Sequence, residues 1–538
     1  MPRSDARHTS GGGRRTARRA ARAARRDARA RRRWPRRVGL TALALVLVAT
    51  GVVVSGVADP VVAPVAEPLR RAAEDAFDSV SDSVTGSLPG ASQDEDPTDP
   101  LAVAAPAALG LTTPTPAAVP AEPVTDQPVD AAAVRRALRG PLAADVLGPH
   151  VSVAVADLDG DLALSRGGAA IPASTTKLLT SASALRLVGA GTTFSTTTVL
   201  QGRRVVLVGG GDPLLASSPV DDDTWPARAD VVTLARRTAA TLVRDLADAP
   251  AGRRTLRVGY DDTLFSGPGF NSTWPLGYRG EVAPPTSALW VDEGSSLTGS
   301  GYSTDPAADA ATVFTAALRD ALAAQARTGQ VRVRLVGSAS PVTSTQAAAT
   351  LASVESAPVG QLVERLLQVS DNQVTEVLLR HVGLAARGTG SIAAGLAGVR
   401  RVLTSLDVPL PRRQEDGSGL SRRNRIDPRT FVGLLAAAAD SDEDDPLRGL
   451  FPGLPAAGST GSLTYRFADA PAAAVGHVRA KTGTLSNVTS LAGVALDADG
   501  TPLVFALLAD RVADVDELSA RDALDRAAAA LGACACGG

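Results

Sequence analysis

Lysine is the rarer basic residue in this chain, and its two positions give the first indication of chemistry. Of 55 lysine and arginine residues, only Lys177 and Lys481 are lysine. Arginine keeps its proton in proteins, whereas a lysine that is desolvated or lies near other cations can lose it and act as a base. Because arginine is used almost everywhere else, we infer that these two positions need a property that only lysine has.

The first lysine lies three residues after a serine, in Ser174-Thr175-Thr176-Lys177. Residues 174–188 have apolar positions at helical spacing and are followed by Gly189, so they predict a helix. Positions i and i+3 share one face of a helix, so the lysine amine can approach the serine hydroxyl and remove its proton. Spacing alone is weak evidence, because many helices contain Ser-x-x-Lys by chance.

Two further motifs lie later in the chain. Ser370-Asp371-Asn372 falls in the break between predicted helices 359–368 and 373–384, where such a tripeptide is usually a cap or a turn. Lys481-Thr482-Gly483-Thr484 precedes the strand-like run 488–496, so by itself it indicates a loop lysine before a strand. Its lysine and threonine hydroxyls can receive a carboxylate, and its glycine lets another backbone approach. Together the three motifs form an ordered catalytic set.

This ordered trio resembles the penicillin-recognising serine enzymes, which include DD-peptidases and serine β-lactamases. Lys177 and Ser370 are 193 residues apart, and strand-like segments in that interval predict one or more inserted β-rich domains over 200–345. The layout resembles the class C low-molecular-mass penicillin-binding proteins, the D-alanyl-D-alanine carboxypeptidase/endopeptidase group (peptidase family S13). The stretches that carry this resemblance are 172–179, 209–213, 261–265, 369–380 and 416–422.

The resemblance implies a fold and a division of the chain. Strand-like runs near both ends of the body, with helices between them, predict an α+β domain whose sheet is built from the two chain ends. We therefore expect a penicillin-recognising, β-lactamase-like catalytic domain formed by 131–199 and 346–531, interrupted by the insertion at 200–345.

The resemblance also implies roles for individual side chains. Ser174 is the expected nucleophile and Lys177 its base, and Ser370 relays the proton to the leaving amine. Asn372 holds the substrate amide, while Lys481, Thr482 and Thr484 hold the terminal carboxylate beside Gly483, and the backbone N–H groups of Ser174 and Thr484 form the oxyanion hole. Arg422 and, from the inserted region, Asp262 are further candidates for contacts with the stem peptide; the alternatives are a solvated arginine and a turn aspartate.

These roles predict a serine-type D-Ala-D-Ala carboxypeptidase/endopeptidase that acts on peptidoglycan stem peptides and binds β-lactam inhibitors. One alternative is a β-lactamase-like hydrolase that uses the same residues. The insertion is far longer than in class A β-lactamases, and we assign no deacylating glutamate. The other alternative is a catalytically silent peptidoglycan-binding protein, which has no need to keep both lysines.

The N-terminal region has a different composition. Residues 1–37 contain fifteen arginines and two aspartates, and 38–58 carry no charge. This pattern predicts a basic cytoplasmic tail and a single transmembrane anchor, with the body outside the cell membrane; a cleaved signal peptide, which would make the protein secreted, is the alternative. No recognition motif accompanies the arginines, so we expect no nucleic-acid partner. Residues 59–130, rich in proline and alanine, predict a disordered linker.

The cysteines and histidines contribute little to the functional prediction. Cys534 and Cys536 lie one residue apart in the terminal stretch 532–538, which we expect to be disordered and without a disulfide framework. The four histidines are scattered, with no metal-ligand spacing, so the sequence predicts neither a metal nor a cofactor.

Overall fold

The computed structural model describes residues 128–221, 223–345, 347–468 and 474–537. The helices are α1 Ala131–Arg139, α2 Lys177–Ala184, α3 Val231–Asp245, α4 Pro306–Arg327, α5 Val359–Val369, α6 Asn372–Arg387, α7 Ile392–Ser405, α8 Pro428–Asp440, α9 Leu450–Gly453 and α10 Glu517–Ala533. The strands are β1 Val151–Ala156, β2 Leu162–Arg166, β3 Ser195–Gln201, β4 Arg204–Val208, β5 Thr255–Asp261, β6 Arg334–Leu335, β7 Ser340–Pro341, β8 Ala349–Glu355, β9 Val478–Leu485, β10 Val488–Leu496 and β11 Pro502–Ala509.

The catalytic unit is built on a five-stranded sheet in the order β2-β1-β11-β10-β9. Neighbouring strands are antiparallel, and β1 near the start of the described residues pairs with β11 near their end, with Val151 opposite Ala509. The prediction that the two chain ends share one sheet is therefore confirmed. This arrangement makes β9, which carries the third motif, an edge strand.

Both faces of this sheet are buried. Side chains alternate between the two faces along each strand, so one strand contributes to two different cores. In β11, Val504, Ala506 and Leu508 join the core that contains α2, α5, α6 and α8. Phe505 and Leu507, from the opposite face, join a second core with α1 and α10. Helices on both sides therefore fix the sheet, and with it the edge strand.

The inserted unit has a sheet of its own, in the order β6-β5-β4-β3-β8, with β7 also pairing with β5. Helices α3 and α4 pack on this sheet around a separate core. The sheet runs from residue 195 to residue 355, so the expected insertion at 200–345 is too short at both ends. The reason is that β3 and β8 pair with each other, which makes the chain enter and leave the unit as adjacent strands.

The terminal stretch differs from the expectation. In residues 532–537 the helix α10 continues to Ala533, and a disulfide joins Cys534 to Cys536. The backbone N–H groups of Cys536 and Gly537 each donate to Asp497 Oδ2 at 2.9 Å. The prediction of disorder was therefore wrong for these residues, because a buried carboxylate binds their backbone.

The predicted tail at 1–37, anchor at 38–58 and nearly all of the linker at 59–130 lie outside the described residues. Within the described part of the chain, no helix combines the length and apolar character that crossing a membrane requires.

Candidate active site

Ser174 lies in a tight turn that leads directly into α2. The turn, Ala173–Thr176, is a 3-10 helix whose first residue has a φ of +49°. The hydroxyl of Thr175 donates to Pro172 O at 2.7 Å, and that of Thr176 donates to Ala173 O at 2.8 Å. These local bonds hold the turn in a conformation that a non-glycine residue rarely adopts, and they present Ser174 at the start of the helix.

Lys177 reaches three oxygen atoms. Its Nζ lies 2.8 Å from Ser174 Oγ, 2.7 Å from Asn372 Oδ1 and 2.9 Å from the carbonyl oxygen of Ser418. A neutral amine has two N–H groups and one lone pair. If the two N–H groups donate to the amide and carbonyl oxygens, which can only accept, the lone pair is left facing the serine hydroxyl. The geometry therefore suits proton removal from Ser174.

The surroundings of Lys177 favour the neutral amine. Complete burial lowers the pKa of Lys177 to about 8, although the carboxylates of Asp371, Asp416 and Glu376 act in the opposite direction. Desolvation penalises the charged form of a buried lysine, whereas nearby carboxylates favour it. The deprotonated form that a base requires is thus accessible close to neutral pH.

Ser370 occupies the turn between α5 and α6, with φ +61° and ψ +40° in the left-handed region. Its Oγ accepts a hydrogen bond from Lys481 Nζ at 2.8 Å. The next residue, Asp371, caps α6 by accepting from Val374 N at 2.9 Å. A non-glycine residue in this region is strained, and such strain persists only where its surroundings fix it.

The third motif lies within β9, not in a loop before a strand as its sequence context indicates. Lys481 is fully buried and also donates to Thr482 O at 2.8 Å. Burial lowers the pKa of Lys481 well below its usual value, and the positive charges of Lys177 and Arg466 lower it further. The Thr482 hydroxyl bonds the Ser462 hydroxyl at 2.9 Å, whereas the side chain of Thr484 is exposed.

Gly483 lets β9 lie against the nucleophile turn. A Cβ at this position would meet Ser490 Oγ at 2.2 Å, Pro172 O at 2.7 Å and Ser174 N at 3.0 Å. Two of these three atoms are backbone atoms of the turn, so a side chain here would separate the third motif from Ser174.

Glu376 is a site residue that the sequence analysis missed. Its Oε1 accepts from Gly417 N at 3.0 Å and from Ser418 N at 2.8 Å, and it thereby holds Ser418, whose carbonyl oxygen binds Lys177. Burial raises the pKa of Glu376 to about 7, and the nearby charge of Asp416 adds to this. A signal existed, because Glu376 stands four residues after Asn372 on one face of α6.

Asp416 organises the loop behind Lys177. One carboxylate oxygen accepts from Trp274 Nε1 at 2.7 Å and Ser421 N at 2.6 Å, and the other from Gly419 N at 3.1 Å and Asn424 Nδ2 at 2.8 Å. Trp274 belongs to the inserted unit, so this carboxylate also joins that unit to the catalytic loop.

The two remaining candidates lie apart from these contacts. Arg422 Nη1 donates to Ser486 O at 2.7 Å, which places it at the end of β9 and partly exposed. Asp262 follows β5 within the inserted unit, and its pKa is raised by burial and by the charges of Asp305 and Asp261. Within the described residues, no hydrogen bond or ion pair joins either of them to a motif side chain, and their roles stay predictions.

Among the residues that the structure describes, no group of three or more histidine, cysteine, aspartate or glutamate side chains is arranged to hold a metal ion.

Comparison with known proteins gives matches over most of the body. The model of the D-Ala-D-Ala carboxypeptidase 3 (S13) family matches residues 135–300 and 300–531. The carboxypeptidase DacB of Mycolicibacterium smegmatis is 31% identical over 431 residues, which are 76% of this chain and 87% of that protein. A carboxypeptidase of Mycobacterium tuberculosis is 32% identical over 382 residues, 68% of this chain and 76% of that protein.

A solved structure has the same fold. Penicillin binding protein 4 of Haemophilus influenzae aligns with a TM-score of 0.56 at 18% identity, over 74% of this chain and 98% of that chain. A second structure of that protein, complexed with a β-lactam, aligns with a TM-score of 0.51. The expected α+β fold of the penicillin-recognising type is therefore confirmed.

Replacing Gly483 by alanine should slow acylation of Ser174 by a fluorescent penicillin by at least about 100-fold, because displacing reacting groups by about 1 Å has effects of this size. The added methyl group would force β9 away from the nucleophile turn. The measurement is the second-order rate of labelling, followed in gels.

Gly252→Ala is the matched control, because a Cβ there meets nothing within 4 Å. If the Gly483→Ala protein is labelled as fast as this control, close packing of β9 on the turn is not needed for reaction.

Proposed function

This chain belongs to the D-Ala-D-Ala carboxypeptidase 3 (S13) family and is a serine-type D-Ala-D-Ala carboxypeptidase, and we propose that it works through an acyl-enzyme on Ser174. We propose further that its substrates are peptidoglycan stem peptides and that it also has endopeptidase activity. The observation that carries the mechanism is the contact of Lys177 Nζ with Ser174 Oγ, Asn372 Oδ1 and the carbonyl oxygen of Ser418.

In the acylation step, Ser174 Oγ attacks the carbonyl carbon of the penultimate D-alanine. Neutral Lys177 takes the hydroxyl proton, and the backbone N–H groups of Ser174 and Thr484 stabilise the developing oxyanion, each by about 3–4 kcal/mol of barrier. Collapse of the tetrahedral intermediate breaks the peptide bond. Ser370 gives its hydroxyl proton to the leaving amine and takes the proton held by Lys177 in its place, so Lys177 becomes neutral again; the hydrogen bond from Lys481 keeps the Ser370 hydroxyl in position for this transfer.

The terminal carboxylate of the substrate binds at the third motif. Lys481 has a lowered pKa in the substrate-free site because of burial and neighbouring cations. An arriving carboxylate supplies the missing negative charge and favours the protonated amine, so binding and charging of Lys481 occur together. Thr482 and Thr484 add hydroxyl donors, and Asn372, whose Oδ1 faces Lys177, can use its amide N–H₂ group to hold the substrate amide.

Deacylation transfers the acyl group from Ser174 to water: neutral Lys177 accepts a proton from the attacking water and returns it to Ser174 Oγ as the ester bond breaks. β-Lactams are proposed inhibitors, because their strained amide acylates the same serine. A β-lactamase-like hydrolase is the alternative that rapid turnover of a chromogenic cephalosporin would favour. A silent peptidoglycan-binding protein would neither be acylated nor release D-alanine.

We also propose that residues 1–37 are cytoplasmic, that 38–58 anchor the protein in the cell membrane and that the body is outside. The support is the arginine-rich flank of an uncharged segment long enough to span a bilayer. Protease added to intact spheroplasts should therefore digest the body and spare the tail. A protected body would contradict this orientation, and a mature chain that begins near residue 59 would instead indicate cleavage and secretion.

Penicillin should form a stable adduct on the wild-type protein, and mass spectrometry should place the added mass on the peptide that contains Ser174. The expectation follows from the lone pair of Lys177 facing the serine hydroxyl. Digestion of purified peptidoglycan, with analysis of released D-alanine and cleaved cross-links, then measures carboxypeptidase and endopeptidase action. Labelling that persists in Ser174→Ala would rule out this nucleophile.

Lys177→Arg should abolish acylation, although it keeps the positive charge. Arginine cannot accept the hydroxyl proton, since its pKa exceeds about 12. General-base catalysis contributes typically about 10²–10⁴-fold, so we expect a loss of that size, comparable with Lys177→Ala. The measurement is the second-order acylation rate with penicillin on variants that are shown to be folded.

Two controls accompany this variant. Lys481→Arg should have a milder defect, because the proposed role of Lys481 is electrostatic. In the wild type the rate should rise as pH increases through about 8, because the neutral form of Lys177 becomes populated there. A Lys177→Arg protein within about tenfold of the wild-type rate would refute the base assignment.

A further inference from the structure

Four charged side chains of alternating sign connect the inserted unit to the second motif. Arg228 and Glu293 belong to the inserted unit, with Arg228 Nη2 3.8 Å from Glu293 Oε1. Glu293 Oε1 accepts from Arg365 Nη2 at 2.9 Å, and Arg365 Nη1 donates to Asp371 Oδ2. Asp371 is the middle residue of Ser370-Asp371-Asn372. A guanidinium on α5 therefore holds one carboxylate from each unit.

This network is largely shielded from water. The side chain of Asp371 is 4% exposed, that of Arg365 18% and that of Glu293 21%. Burial raises the pKa of Glu293 to about 7, and the charge of Asp371 adds to the rise, while Arg365 and Arg228 oppose it. Breaking a buried pair leaves an uncompensated charge, so each member depends on the others.

The inserted unit holds Glu293 in a defined position. Asp292, Glu293 and Gly294 all have left-handed backbone conformations, with φ of +50°, +59° and +77°. Asp292 N donates to Leu215 O at 2.9 Å, and Asp292 Oδ1 accepts from Ser217 N at 3.1 Å. Two non-glycine residues in such conformations require a well-fixed environment, so the carboxylate of Glu293 is directed by the unit that carries it.

At the other end of the network, Asp371 determines the position of Ser370. Three interactions fix the position of Asp371. Its side chain binds Arg365 and accepts a hydrogen bond from Val374 N at 2.9 Å, and its backbone N–H donates to Leu366 O at 3.0 Å. Ser370 directly precedes it and has a φ of +61°. Because one peptide bond joins the two residues, a shift of the Asp371 side chain moves the strained turn that aims Ser370 Oγ at Lys481.

We propose that Glu293 is a positioning residue of the reaction: acting through Arg365 and Asp371, it fixes Ser370 Oγ beside Lys481. The inserted unit then contributes to the acyl-transfer step itself and is not only a surface for the substrate. This inference rests on the proposed acyl-enzyme mechanism, because its readout is acylation of Ser174.

The test separates positioning from general stability and from substrate binding. Penicillin acylation is measured in stopped flow over a range of concentrations, which gives the dissociation constant of the first complex and the acylation rate constant. Glu293→Gln should lower the acylation rate constant by about 10- to 100-fold, the range expected for misplaced catalytic groups, and leave the dissociation constant unchanged. Arg365→Gln should show the same pattern.

Two controls match these changes. Glu281→Gln removes a carboxylate from an exposed position of the same inserted unit. Arg186→Gln breaks an ion pair with Asp445 in the catalytic unit, whose partners are 2.5 Å apart. Both should acylate like the wild type. The double variant of Glu293→Gln with Arg365→Gln should be no slower than Arg365→Gln alone, because both changes interrupt one connection.

The outcomes are distinguishable. A wild-type protein that is not acylated contradicts the proposed function itself. With an active wild type, an unchanged acylation constant in Glu293→Gln, a change confined to the dissociation constant, or additive effects in the double variant overturns the positioning role. If Glu293→Gln does not fold, Arg365→Lys replaces it, since one ammonium group lacks the planar fork that holds both carboxylates. Wild-type acylation by that variant overturns the proposal equally.

Discussion

Burial of the Lys177 amine is the constraint on which the rest of the site depends. Desolvation is the largest influence on its pKa, and without it the amine would stay protonated and could not accept the Ser174 proton. Burial in turn requires polar partners, because an unsatisfied buried amine is costly. Asn372 and the carbonyl of Ser418 supply those partners from two other segments, so the contacts of one nitrogen atom tie the nucleophile helix, the second motif and the loop after Asp416 together.

The choice of these partners matters as much as their number. A carboxylate in direct contact with Lys177 would favour the charged amine, and the base would be lost. The structure instead places neutral amide and carbonyl oxygens against the amine and puts carboxylates one step further away. Glu376 binds the peptide of Ser418, and Asp416 binds the loop that continues from it. Their negative charges still reach Lys177, and so moderate the effect of burial without cancelling it.

The motifs can be recognised in the sequence because the residues within each one lie close together in the chain. The sheet can be predicted because the apolar runs at both ends of the body have the same strand-like periodicity. The sequence places Lys481 before a strand, although Lys481 lies within β9, because an edge strand with polar side chains lacks a continuous apolar pattern. The pair formed by Glu293 and Arg365 could not be predicted from the sequence. Each is an ordinary charged residue, and only contacts between distant segments, such as 293 with 365, give it a place in the site.

Strain explains why so many segments converge here. Ala173 and Ser370 both have left-handed backbone conformations, and each adjoins or carries a hydroxyl of the proposed reaction. Such a residue costs about 1–3 kcal/mol, so the strained turns would relax unless their surroundings held them. The Thr176 hydroxyl holds the first turn, and Arg365, through Asp371, holds the second. Because Arg365 is itself shared with Glu293, the second turn depends on both units, which gives a physical reason for a 195–355 insertion to stay docked against the catalytic helices.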